Sequence, residues 1–131
     1  MTNAHLDGHS PAVLHLTSHP EPGGIRLQLA GELDLATAQH LTDTCQALPL
    51  PAGGLLRLDL HNLTFLDAAG LRALLHTHRH AAAHGTRVQL HRPRPLARRI
   101  LALTGLLTVL DIDGDHNLDG GEVLSAQPDK S

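Results

Sequence analysis

The chain has almost no aromatic content, Phe65 being the single Phe, Tyr or Trp among its 131 residues. A core without rings must be aliphatic, and the scarcity weighs against domains that stack bases on aromatic platforms, the RRM type among them. Lysine is nearly missing as well, since Lys130 is the only one among ten basic residues. The preference for Arg, Ala, Leu and Gly is the kind of bias that a GC-rich genome produces and says nothing about function. Cys45 is the one cysteine, so neither an internal disulfide nor a multi-cysteine zinc site can form, which suits a reducing compartment. No apolar run reaches the roughly 18 residues of a membrane span. The opening "MTNAHLDGHSPAVLHL" has no basic stretch followed by an unbroken apolar one, so a signal peptide is not expected. A soluble, cytoplasmic protein is the expectation. Net charge is −3 with neutral histidine, which provides no footprint for direct nucleic-acid or anionic-membrane binding.

What the chain does have is 41% hydrophobic residues and 12 histidines. The length suits one domain with one core. Residues 1–10 are polar and are expected to form a flexible N-terminus. "AVLHLTS" (12–18) and "IRLQLAG" (25–31) alternate with period 2 around the turn material "HPEPGG", as the strands of a hairpin do. Leu35, Ala38, Leu41, Cys45 and Leu48 recur at helical spacing and predict a helix over 34–48, with Asp34 as its cap. "LLRLDL" (55–60) has the continuous apolar character of a buried parallel strand. A second helix is expected to run from "DAAG" to His84, with Gly85 as its C-terminal cap. It should turn Leu71, Leu74, Leu75, His78 and Ala82 inward. "TRVQLH" (86–91) predicts a strand, and "LARRILALTG" (96–105) a helix with Pro95 in its first turn. Its apolar positions Leu96, Ile100, Leu103 and Leu107 share a stripe, with Arg98 and Arg99 turned outward. "LTVLDI" (107–112) predicts the last strand, followed by an acidic Gly- and Asp-rich tail over 114–131. The order is β-β-α-β-α-β-α-β, and right-handed crossovers make this an α/β fold with a mostly parallel sheet of four to five strands, an N-terminal hairpin and three main helices.

The segments "GELDLATA" (31–38), "LRLDLHNLTFLDAAGLRALL" (56–75) and "LARRILALTGLLTVLDI" (96–112) resemble the STAS domain of bacterial anti-sigma factor antagonists. The resemblance covers residues 11–113. It implies a regulatory adaptor that binds an anti-sigma factor, often one carrying a serine-kinase ATPase domain, and thereby frees a sigma factor for transcription. It implies neither a catalytic activity nor a cofactor. Phosphorylatable members carry a serine directly after the aspartate of an Asp-Ser-x-Gly loop. The matching positions here are Asp67, Ala68, Ala69 and Gly70, so the acceptor position is held by alanine. The implied partner-binding loop is Asp67, Ala68, Ala69, Gly70 and Leu71. Glu32, Asp34, Asn62, Thr64 and Arg72 form the neighbouring surface, because the family fold brings the "GELD" turn beside the loop. Asp67 also suits a helix cap, and Gly70 either a close approach by a partner or tight packing at the helix start.

Three other patterns compete with that reading. "DIDGDHNLDGGE" (111–122) places Asp111, Asp113, Asp115, Asp119 and Glu122 at positions 1, 3, 5, 9 and 12 of a calcium-binding EF-hand loop. His116 holds position 6, where the sharp turn needs glycine, and a strand leads in where a helix should. His76, His80 and His84 stand four apart on one helix face, the spacing of a zinc pair, without an accompanying carboxylate or cysteine. "HRPRPLARR" gathers Arg92, Arg94, Arg98 and Arg99 and reads as a partner contact in a net acidic chain. No G-x-S-x-G elbow, P-loop or dinucleotide fingerprint is present. The calcium alternative has a simple test: a ligand that binds only the folded state raises the melting midpoint. No shift in the midpoint at millimolar calcium would end it.

Overall fold

A computed structural model describes residues 13–113. Strands β1 (Leu14–Glu21) and β2 (Gly24–Leu33) form the hairpin, helix α1 (Ala38–Ala47) leads to β3 (Leu55–Leu66), and α2 (Ala68–Ala83) leads to β4 (Arg87–His91). Helix α3 (Pro95–Leu103) and a 3-10 turn (Leu106–Thr108) then precede β5 (Asp111–Asp113). The five strands lie in chain order in one sheet. β1 pairs antiparallel with β2, and every later pairing is parallel. The α/β class, the hairpin and the three helices are those expected.

Alternation along the strands separates two faces. Leu27 and Leu29 of β2, Leu56, Leu58 and Leu60 of β3, and Val88 and Leu90 of β4 are buried in one cluster. Leu41 and Cys45 of α1, Leu71, Ala73, Leu74 and Ala81 of α2, and Ala97 and Leu101 of α3 join that same cluster. The core is therefore almost wholly leucine and lies on one face of the sheet. The alternating residues Arg26, Gln28, Arg57, Asp59, Gln89 and His91 make the other face polar, although parallel sheets are commonly covered on both sides.

Asp59 organises that polar face. Its side chain is only 3% exposed, between Arg26 Nη1 at 3.5 Å and Arg92 Nη2 at 3.0 Å. It also accepts the backbone N–H of His61 at 3.1 Å. Glu21 extends the lattice, lying 3.2 Å from Arg26 Nε and 3.7 Å from Arg57 Nε. The longer contact is an attraction between charges and not a hydrogen bond.

Four departures from the sequence expectations have local causes. Helix α1 starts at Ala38 and not at 34, because Asp34 Oδ1 accepts the N–H groups of Ala36 at 3.0 Å and Thr37 at 3.1 Å. That side-chain turn competes with helix geometry and turns Leu35 out of the expected core stripe to 77% exposure. β3 runs to Leu66 and not to 60, with two register shifts against β2. Each shift sets one extra β3 residue against the β2 ladder, so Leu60, Leu63 and Leu66 are buried with a spacing of three. In α2 the inward face is Leu71, Ala73, Leu74, Thr77 and Ala81, while Ala82 is exposed and Leu75 and His78 are half-buried. Before β5, residues 106–108 form a 3-10 turn where a strand was expected, because Gly105 at φ 78° ends α3 and its carbonyl accepts from Thr108 N–H at 3.3 Å.

The Asp59 lattice gives stability a pH dependence. Burial alone pushes the Asp59 carboxyl up, but the Arg92 hydrogen bond, the His61 amide and the charges of Arg92 and His91 outweigh it and hold the group below its ordinary value. A carboxyl depressed in the folded state stabilises above its unfolded pKa of about 3.9, and that contribution is lost as pH falls through the folded value. Asp59→Asn should cost about 1–3 kcal/mol at pH 7, because two arginines lose their charged partner and the amide can accept from only one oxygen. Urea titrations at pH 7 and pH 3 should show the gap from wild type narrowing at the lower pH.

Candidate functional site

The parallel strands β2, β3 and β4 all end at one edge of the sheet, and the loop at residue 67 sits there. β3 hands over to α2 at Asp67, which is extended (φ −121°) and whose Oδ1 accepts the Gly70 N–H at 2.9 Å. This is an N-cap, and it sets a carboxylate at the positive end of a 16-residue helix. The Asp67 N–H donates to the Leu33 carbonyl at 3.4 Å, joining the end of β2 to the start of α2. Gly70 rests on the same carbonyl: a Cβ there would collide with Leu33 O and come within 2.8 Å of Leu66 Cδ1. Its role is therefore internal packing of α2 on β2, the second of the two roles expected for it.

The expected site residues divide by exposure. Ala68 and Arg72 face solvent, Asp67 is half-buried, and Ala69, Gly70 and Leu71 are buried against the core. Glu32, Asn62 and Thr64 are exposed on the adjoining strand ends. Asp34 is engaged within its own turn, where the Thr37 hydroxyl also donates to the Glu32 carbonyl at 2.7 Å. The Thr64 hydroxyl donates to the Gly31 carbonyl at 3.0 Å across the β2–β3 pairing. The structure thus gathers Glu32, Asn62, Thr64, Asp67, Ala68 and Arg72 at one edge.

Three apolar side chains that the sequence reading did not place there share this edge. Leu35 lies just after β2, Phe65 is the last residue but one of β3 and is 46% exposed, and Leu96 stands in the first turn of α3, after β4, and is 59% exposed. Phe65 and Leu96 line one small cleft together with Thr64 and Arg94. Leu35 and Leu96 were expected to be core by their spacing. The signal that could have released Leu35 is the "DLAT" turn, whose Asp and Thr bond each other. The β4–α3 connection at the same edge is tied down by two arginines. Arg92 adopts a positive φ of 55° and bonds Asp59, while Arg94 Nε donates to the His61 carbonyl at 2.7 Å.

The competing patterns fare differently. Asp111 and Asp113 occupy β5, paired in register with Gln89 and His91, so they extend a ladder where an EF-hand would need a helix and loop. Asp115, Asp119 and Glu122 lie outside the described residues. His80 and His84 approach to 4.6 Å between ring centroids, and His84 Nδ1 meets the His80 carbonyl at 3.0 Å. Among the described residues, no three metal-ligating side chains converge and no helix is long and apolar enough to cross a membrane.

A five-stranded sheet with helices on one face and an N-capped loop where its parallel strands end defines the fold class. The family described as "Mlab, STAS domain" matches residues 6–126, and the chain belongs to the STAS domain family. An anti-sigma factor antagonist from Mycobacterium paratuberculosis superposes with a TM-score of 0.65 at 20% identity, over 82% of this chain and 92% of that one. The anti-sigma factor antagonist SpoIIAA in its unphosphorylated form gives 0.61 at 21% identity, over 79% and 90%. The Bacillus cell fate determinant SpoIIAA in its phosphorylated form gives 0.51 at 19%, over 79% and 93%.

The joint at residue 70 makes a clear stability prediction. Gly70→Ala should cost about 1–3 kcal/mol by overpacking against Leu33 and Leu66. Asp67→Ala should cost about 1 kcal/mol through loss of the cap. Chemical denaturation of the two variants should rank them in that order.

Proposed function

We propose that this protein is an anti-sigma factor antagonist that binds an anti-sigma factor of the serine-kinase type and is not switched by phosphorylation at the usual loop position. The observation that carries the proposal is Ala68, a solvent-exposed methyl group at the first position of α2, set on a joint whose cap and glycine contact are intact. SpoIIAA, a structural relative, has been solved in both phosphorylated and unphosphorylated forms. A phosphoserine at this point would add about −1.5 to −2 charges beside the helix N-terminus and change what can dock there. Alanine has no hydroxyl and is close in size to unmodified serine, so Ala68 holds the surface permanently in its binding state.

Binding then rests on shape and apolar contact, with the exposed Leu35, Phe65 and Leu96 at the same edge as Ala68 as the anchors. Glu32, Asn62, Thr64, Asp67 and Arg72 supply a polar rim of both charge signs. The Thr64 hydroxyl points into a backbone bond with Gly31, which argues against its being a substitute acceptor.

The test mixes the purified protein with serine-kinase anti-sigma factors of its own genome and labelled ATP. A stable complex without phosphate transfer is expected, and Ala68→Ser should restore labelling on residue 68. Label on Thr64 of the unaltered protein would overturn the non-switchable reading. Failure to bind every such kinase would overturn the assignment of partner.

A further inference from the structure

Helix α3 carries two apolar stripes, and the core uses only one of them. Ala97 and Leu101, four residues apart, are the buried pair. Leu96 and Leu103, seven residues and two turns apart, are 59% and 77% exposed. Ile100 lies between them and is half-buried against the core. Exposed leucines occurring singly are ordinary, whereas a stripe along one helix face needs a partner. This stripe does not stop at the helix, because Leu96 shares its cleft with Phe65 at the edge that carries Ala68.

The charge around the stripe specifies what would cover it. From 87 to 110 the sequence contains five arginines and no Asp or Glu; Arg87 and Arg92 are paired with Asp111 and Asp59, away from the stripe. Arg94 and Arg99 are exposed, and Arg99 stands three residues after Leu96 and four before Leu103, on the flank of both. The complement of two leucines a double turn apart, bordered by guanidinium groups, is an amphipathic helix with apolar residues on one face and carboxylates beside them. We infer that the outer face of α3, Leu96, Arg99 and Leu103, is a docking groove for an acidic amphipathic helix of the partner. With Phe65 it continues the surface around Ala68. The inference rests on the proposed function for the partner's identity alone; the stripe and its charges belong to this chain.

The groove has a function of its own in this arrangement. A loop without a phosphorylation switch discriminates partners only through contacts, and a second apolar and charged surface two turns long adds selectivity that the small Ala68 patch lacks.

The test is hydrogen-exchange footprinting of the full chain with the anti-sigma factor captured in the preceding experiment, followed by titration of variants. Leu103→Glu and Leu96→Glu alter exposed positions, so melting midpoints should match wild type while affinity falls at least tenfold. Arg99→Glu should weaken binding and flatten its salt dependence. His84→Glu, exposed on α2, should leave affinity unchanged. Protection on both α3 and the 67–72 segment supports the inference. Protection on 67–72 alone, with Leu103→Glu binding as wild type does, overturns it and leaves the proposed function standing. Protection on α3 alone keeps the groove and overturns the loop as the docking site. Two results would assign the stripe to a different occupant and overturn the partner helix. One is a dimer in sedimentation velocity that Leu103→Glu dissociates; the other is α3 protection in the free chain that disappears when residues 114–131 are removed.

Discussion

The end of β2 and the start of α2 meet through backbone, and the surface at that edge depends on this contact. Leu33 offers its carbonyl to the Asp67 N–H, and Gly70 lies against the same carbonyl with no room for a Cβ. Because the two elements touch so closely, the turn after β2 is held beside the first turn of α2. Leu35 and Glu32 thereby come to the same edge as Ala68, more than thirty positions away in sequence. A larger residue at 70 would separate the two elements and break up that surface without touching an exposed atom.

Sequence pattern revealed the order of elements and the α/β class, since period-2 and period-3.6 signals dominate β1, β2, β4 and the middle of each helix. It failed where a local interaction overrode the period. Asp34 and Thr37 bond each other's backbone and delay α1, which no helical wheel registers. The two irregularities in β3 convert alternation into a spacing of three, so "HNLTFL" has no strand period although it is strand throughout. In α3 both leucine stripes fit a helix equally well, and only the packing of Ala97 and Leu101 shows which faces inward.

The candidate site was legible for a different reason. Asp67 and Gly70 are required by geometry, one to cap and one to pack, so their spacing survives in the sequence as a recognisable motif. The exposed apolar residues Leu35, Phe65 and Leu96 have no such requirement. Each is simply an exposed hydrophobic residue, and a one-dimensional pattern assigns such residues to a core. Their common position emerges only once the parallel strands are aligned and their ends seen to coincide.

The leucine core has a final consequence for how this molecule can be observed. With no Trp or Tyr in the chain, neither folding nor binding changes an intrinsic fluorescence signal of the usual kind. The only benzyl ring, Phe65, stands half-exposed where the parallel strands end. Its ring protons therefore report on that edge without overlap from the aliphatic core.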